Sequence, residues 1–104
     1  MAIVAVSITP IGTGETSVAR YVAAAEKVLR ENPRLRYQLG PMFTTVEGDL
    51  KDIFDCILRM HEAVAALGAA RISTVIKVDD RRDKTAHMED KVRSVAEHLR
   101  ALDH

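Results

Sequence analysis

An α+β fold built on a four-stranded antiparallel sheet is what this sequence predicts, and three observations carry the prediction. Arg71 to Val78 (RISTVIKV) is rich in β-branched residues and alternates in polarity, which marks a strand near the end of the chain. Ala2 to Thr9 (AIVAVSIT) opens the chain with the same character. Two stretches of helical periodicity and a pair of short strands lie between them.

Taken in order, the first strand is expected to run over 2–9 and to stop at Pro10, which has no N–H for a sheet ladder. The loop Ile11-Gly12-Thr13-Gly14-Glu15 follows, with Thr16 or Ser17 as the helix N-cap. Val18, Tyr21, Val22, Ala25, Val28 and Leu29 recur at helical spacing, and Arg20, Glu26, Lys27 and Arg30 fall on the other side. Strands over 35–39 and 43–47 are joined through Gly40-Pro41-Met42, a link short enough to require an antiparallel hairpin. Asp49 then caps a second helix. Its buried face is expected to be Leu50, Ile53, Phe54, Ile57, His61, Val64 and Leu67, closed by Gly68. After the 71–78 strand, the mixed charges of Asp79 to Lys84 mark the rim of the sheet, because a strand interior cannot bury them cheaply. A last helix starts near Thr85, with Met88, Val92, Val95, Leu99 and Leu102 on one stripe. This is the βαββαβ order of a ferredoxin-like fold, with an extra C-terminal helix.

The helices are expected to cover Val4, Val6, Ile8, Val46, Ile72, Ile76 and Val78. The other sheet face then carries Ile3, Ala5, Ser7, Gln38, Phe43, Thr45, Glu47, Ser73, Val75 and Lys77. That face is too apolar to be left in water, which predicts a homo-oligomer.

Fifteen basic residues balance fifteen acidic ones, so no global field points to nucleic acid or to an anionic membrane. At 104 residues the expectation is one domain, 1–104, large enough to fold without staples. Cys56 is the single cysteine and has no internal partner, which fits a reducing, cytoplasmic compartment. No apolar run reaches the length of a membrane span, and no secretory signal pattern opens the chain.

Most motifs are better read as structure than as chemistry. Gly12-Thr13-Gly14 lacks the third glycine and the acidic strand end of a dinucleotide site. His61-Glu62 lacks a second histidine at position 65, so His61 reads as a hydrogen-bonded core residue. Cys56 has no activating histidine and reads as a packing or partly exposed thiol. Asp79, Asp80 and Asp83 are interleaved with Arg81, Arg82 and Lys84, which favours ion pairs over a metal site. No nucleophile–base pair, metal set or cofactor motif emerges, so no catalytic residue is assigned and an enzyme is not expected. Ser7, Thr45, Glu47 and Lys77, set among Ala5, Phe43 and Val75, are different. A few placed polar groups on an apolar surface are how a small-molecule pocket is composed, although spacing alone favours an interface salt bridge between Glu47 and Lys77.

Gly40-Pro41-Met42, Thr44-Thr45-Val46-Glu47-Gly48-Asp49, His61-Glu62-Ala63-Val64 and Ile76-Lys77-Val78-Asp79-Asp80-Arg81 resemble the thiamine-binding-protein family, and the likeness spans nearly the whole chain. Pro10-Ile11-Gly12 and Tyr21-Val22-Ala23 are similar to it as well. Phe43 departs from the small residue common there and would reshape a pocket. The resemblance implies a ferredoxin-like fold, a homodimer or homotetramer, and binding of thiamine or its hydroxymethylpyrimidine moiety without turnover, as a carrier, buffer or sensor. On that reading Glu47 accepts from the aminopyrimidine edge, Ser7 and Thr45 fix its orientation, Met42 or Phe43 covers a ring face, and Lys77 belongs to the same set. An oligomeric structural or regulatory module without a small-molecule ligand is the alternative.

Overall fold

The computed structural model describes residues 1–103; the expected domain's last residue, His104, lies outside them. The elements are β1 (Ala2–Ile11), α1 (Ala19–Arg30), β2 (Arg36–Leu39), β3 (Thr44–Gly48), α2 (Leu50–Ala66), β4 (Arg71–Asp80) and α3 (Met88–Leu102). The four strands pair antiparallel in the order β2-β3-β1-β4, the ferredoxin-like arrangement expected from the sequence.

Register assigns the faces. Val4 lies opposite both Val46 and Val78, and Val6 opposite both Thr44 and Ile76, so these side chains share one face. α1 and α2 pack there and bury Val4, Val6, Ile8 and Val46 against Tyr21, Ala25, Leu29, Ile53, Cys56, Ile57, Met60 and Val64. Asp49 caps α2 by accepting from the backbone N–H groups of Lys51 and Asp52.

Several boundaries differ from the sequence expectation, each for a physical reason. β1 does not stop at Pro10, which lies inside the strand opposite Ile72. Past Val6, β1 has no β3 partner, and a proline is tolerated where one side of a strand has no ladder to feed. β4 runs on through Asp79 and Asp80, opposite Ile3 and Ala2. It is an edge strand, so its carboxylates keep access to water and to cationic partners. Neither Thr16 nor Ser17 takes the N-cap of α1, which falls on Val18. Along α2, Cys56 and Met60 are buried while Phe54 and Leu67 are exposed, because contact with α1 turns the buried stripe toward them.

α3 starts at Met88 rather than near Thr85, and Asp90 accepts the N–H of His87, the N-cap residue, at 2.9 Å. Its first turn rests on the sheet and the rest projects. Met88 is buried, whereas Val92, Val95, Leu99 and Leu102 are all more than half exposed. The radius of gyration, 15.8 Å, accordingly exceeds the roughly 13 Å of a compact chain of this length.

Candidate functional site

On the face away from α1 and α2, Arg36, Glu47, Ile3 and Asp79 form one row across the four strands. The first turn of α3 lies over this row. Glu47 is only 2% exposed. One of its oxygens accepts from Arg36 and lies 3.2 Å from His87 Nδ1; the other accepts the N–H of Met88 at 2.8 Å. Arg36 also bonds Glu89, and Lys91 bonds Asp79. The Arg36 guanidinium holds the Glu89 carboxyl below the usual range, Lys91 does the same for Asp79, and the His87 N–H does it for Asp90.

This arrangement corrects the pairing expected for Glu47. Lys77 lies opposite Ala5, itself opposite Thr45, so Thr45 and Lys77 occupy a different row from Glu47. Arg36, in Glu47's own row on β2, is its cationic partner instead.

The other expected site residues gather elsewhere. Ser7, Met42 and Phe43 line a pocket of about 310 Å³ where β3 stops and the free edge of β1 faces the β2–β3 turn. Gly40 and Phe43 close that turn through an N–H to carbonyl bond of 3.0 Å. Val18 at the N-cap of α1, with Val22, Ala25 and Glu26 of α1, supplies a second wall, and Met60 of α2 a third. Thr44 Oγ1 donates to Glu26 Oε1 at 2.6 Å, and Glu26 Oε2 is buried with no hydrogen-bond partner. A larger open groove beside α2 is lined by Glu31, Arg34, Asp52, Asp55 and Arg59, of which Arg34 and Asp52 pair at 3.6 Å; mixed charge of that kind suits a solvated surface.

Sequence reasoning missed Glu26, Thr44, Arg36 and His87. Helical periodicity sets Glu26 on the polar side of α1, yet it stands four residues after Val22 and three before Leu29, at the margin of the buried stripe. That spacing was the available signal. His61 is half-buried with Nε2 2.6 Å from Thr74 Oγ1, the hydrogen-bonded histidine expected. Cys56 is fully buried, and burial pushes its thiol pKa up. In the turn after β4, Arg81 pairs with Asp83, and Arg82 pairs with Asp80.

A ferredoxin-like sheet, two covering helices and a mostly apolar pocket at a hairpin define a small α+β domain with a cleft at one end of its sheet. The chain belongs to the thiamine-binding protein family, whose model matches residues 4–96. It is 46% identical to the UPF0045 protein YqgV of Bacillus subtilis over 102 residues, covering 95% of this chain and 98% of the relative. It is 43% identical to the UPF0045 protein MT1949 of Mycobacterium tuberculosis over 98 residues, covering 93% of each. Among solved structures, MJ1052 from Methanocaldococcus jannaschii superposes with a TM-score of 0.83 at 32% identity, covering 92% of this chain and 96% of that one. TM0486 from Thermotoga maritima, given a provisional role in thiamine biosynthesis or salvage, superposes with a TM-score of 0.77 at 20% identity. It covers 90% of this chain and 97% of the other, a likeness of fold alone.

Proposed function

We propose that this protein binds thiamine or its hydroxymethylpyrimidine moiety without turnover, as a cytoplasmic carrier, buffer or sensor. The observation that carries the reading is the hairpin pocket itself, an apolar cleft with a few placed polar groups in a chain of the thiamine-binding family. Ser7, Met42 and Phe43 belong to that pocket, and Thr45 and Lys77 lie on the open face beside it. Glu47, whose carboxylate accepts from Arg36 and from the Met88 N–H, serves α3 on this reading. A thermal-shift screen with thiamine, its phosphates and hydroxymethylpyrimidine tests it, since a ligand at 100 times its Kd stabilises by about 2.7 kcal/mol. No shift with any of them would refute it.

A specific observation also favours self-association, as a homodimer or homotetramer. Val75 on the open sheet face and Val92, Val95, Leu99 and Leu102 on the projecting α3 are each more than half exposed, the kind of apolar surface that a second copy of the chain would cover.

A further inference from the structure

We propose that Glu26 makes the hairpin pocket selective for a heterocycle that bears an amine donor and carries no phosphate. This rests on the thiamine reading above and names the group that recognises the ligand. Three features support it.

Thr44 holds one oxygen of Glu26, and the other is buried without a partner. A carboxylate oxygen in that state has lost its hydration and received nothing in return, so an N–H entering beside it gains a charge-assisted bond. The terminal torsion of a glutamate is broad, so the carboxylate turns easily to present that oxygen to the cleft.

Among the described residues, Glu26 is the only charged side chain lining the pocket. No Lys, Arg or His stands in that lining to receive a phosphate, and an anion would meet the carboxylate as a like charge. A cation or a neutral donor is favoured instead. Aminopyrimidines offer the N–H, and the thiazolium of thiamine offers the compensating positive charge.

The donor that sets Glu26 is itself fixed. Thr44 lies in β3 between Val6 of β1 and Leu39 of β2, so the hydroxyl that anchors Glu26 is positioned by the sheet rather than by a mobile loop. Val18, Val22, Leu39 and Met60 supply apolar wall that suits a ring face.

Calorimetry of the wild-type protein and Glu26→Gln tests the assignment, with thiamine, thiamine monophosphate, hydroxymethylpyrimidine and a hydroxymethylpyrimidine analogue lacking the exocyclic amine. The wild type should prefer thiamine to its monophosphate. Glu26→Gln should weaken thiamine and hydroxymethylpyrimidine by about ten- to hundredfold and leave the amine-free analogue unchanged. Sedimentation and melting of the variant, recorded in parallel, should match the wild type. Equal affinity of both proteins for thiamine, or tighter binding of the monophosphate, overturns the assignment and leaves the thiamine reading standing. Failure of the wild type to bind any of the four compounds overturns both.

Discussion

Glu47 on β3 accepts the backbone N–H of Met88, the first residue of α3, at 2.8 Å. The first N–H groups of a helix have no partner within it and carry the positive end of its dipole, so a fixed carboxylate there stabilises the helix start. Glu47→Gln keeps the shape and removes the charge. We expect it to lower stability by about 1.5–3 kcal/mol, the range for a charge-assisted hydrogen bond, and to speed hydrogen exchange at the Met88 amide. Urea melts and exchange rates equal to the wild type would contradict this. A ten- to hundredfold loss of thiamine affinity with stability intact would instead place Glu47 in the ligand site.

The contacts that seat α3 are also acid-sensitive. Glu89, Asp79 and Asp90 all have folded pKa values below their ordinary ones, chiefly through Arg36, Lys91 and the His87 N–H respectively. Depressed carboxylate values mean that the unfolded chain binds more protons in acid, so stability rises with pH. The contribution is complete above the ordinary carboxylate range, about pH 4, and is lost as pH falls through the lower folded values. Amide protection over α3 should therefore hold at pH 6 and fade below about pH 4, earlier in high salt, because these groups are exposed. Protection that persists to pH 2.5, or that is lost on raising the pH, would overturn it.

Self-association gives a third expectation. Sedimentation at micromolar concentration should show no dominant 11.5 kDa species. Leu99 is 56% exposed in the single chain, so Leu99→Glu should shift the population toward monomer without unfolding the domain. A wild-type monomer, or a variant that assembles as before, would leave the α3 stripe without this role.

How much of this was legible beforehand depends on where each residue gets its constraint. Alternation alone puts Val4, Val6, Ile8 and Val46 on the helix-covered face, because a one-residue slip would expose them all. Ile76 and Val78 share that face but lie on the edge strand β4, beyond the helices' cover, and stay exposed. The order of strands followed from the hairpin and the crossovers. The partner of Glu47 was not legible, because it depends on which residues share a row, and Arg36 entered that row only through the β2–β3 register. Glu26 was hidden by its type, since a charge beside an apolar stripe reads as solvent-facing unless the opposite wall is known to offer Thr44. The exposure of Val92 to Leu102 was also not legible, because periodicity reports an apolar face without saying what covers it.

The hairpin that frames the pocket supplies a fourth test. A Cβ on Gly40 would sit 2.5 Å from the backbone oxygen of Phe43, the atom that accepts the Gly40 N–H. Gly40→Ala must push the two strands apart at the turn. Overpacking of this kind costs about 1–3 kcal/mol, and the walls formed by Met42, Phe43 and Thr44 would shift with it. A lower melting temperature together with weaker thiamine binding is expected. Unchanged binding in a folded variant would show that the turn does not frame the site.

The most direct measurement is a titration of thiamine into isotope-labelled protein, followed residue by residue through backbone amide shifts. We expect saturable changes confined to Val6–Thr9, Val18–Glu26, Leu39–Thr44 and the surroundings of Met60, which together wall the hairpin pocket. Amides around Lys77 and in α3 should move little. Changes centred instead on Thr45, Glu47 and Lys77, or no saturable change at millimolar thiamine, would contradict a ligand seated in this pocket.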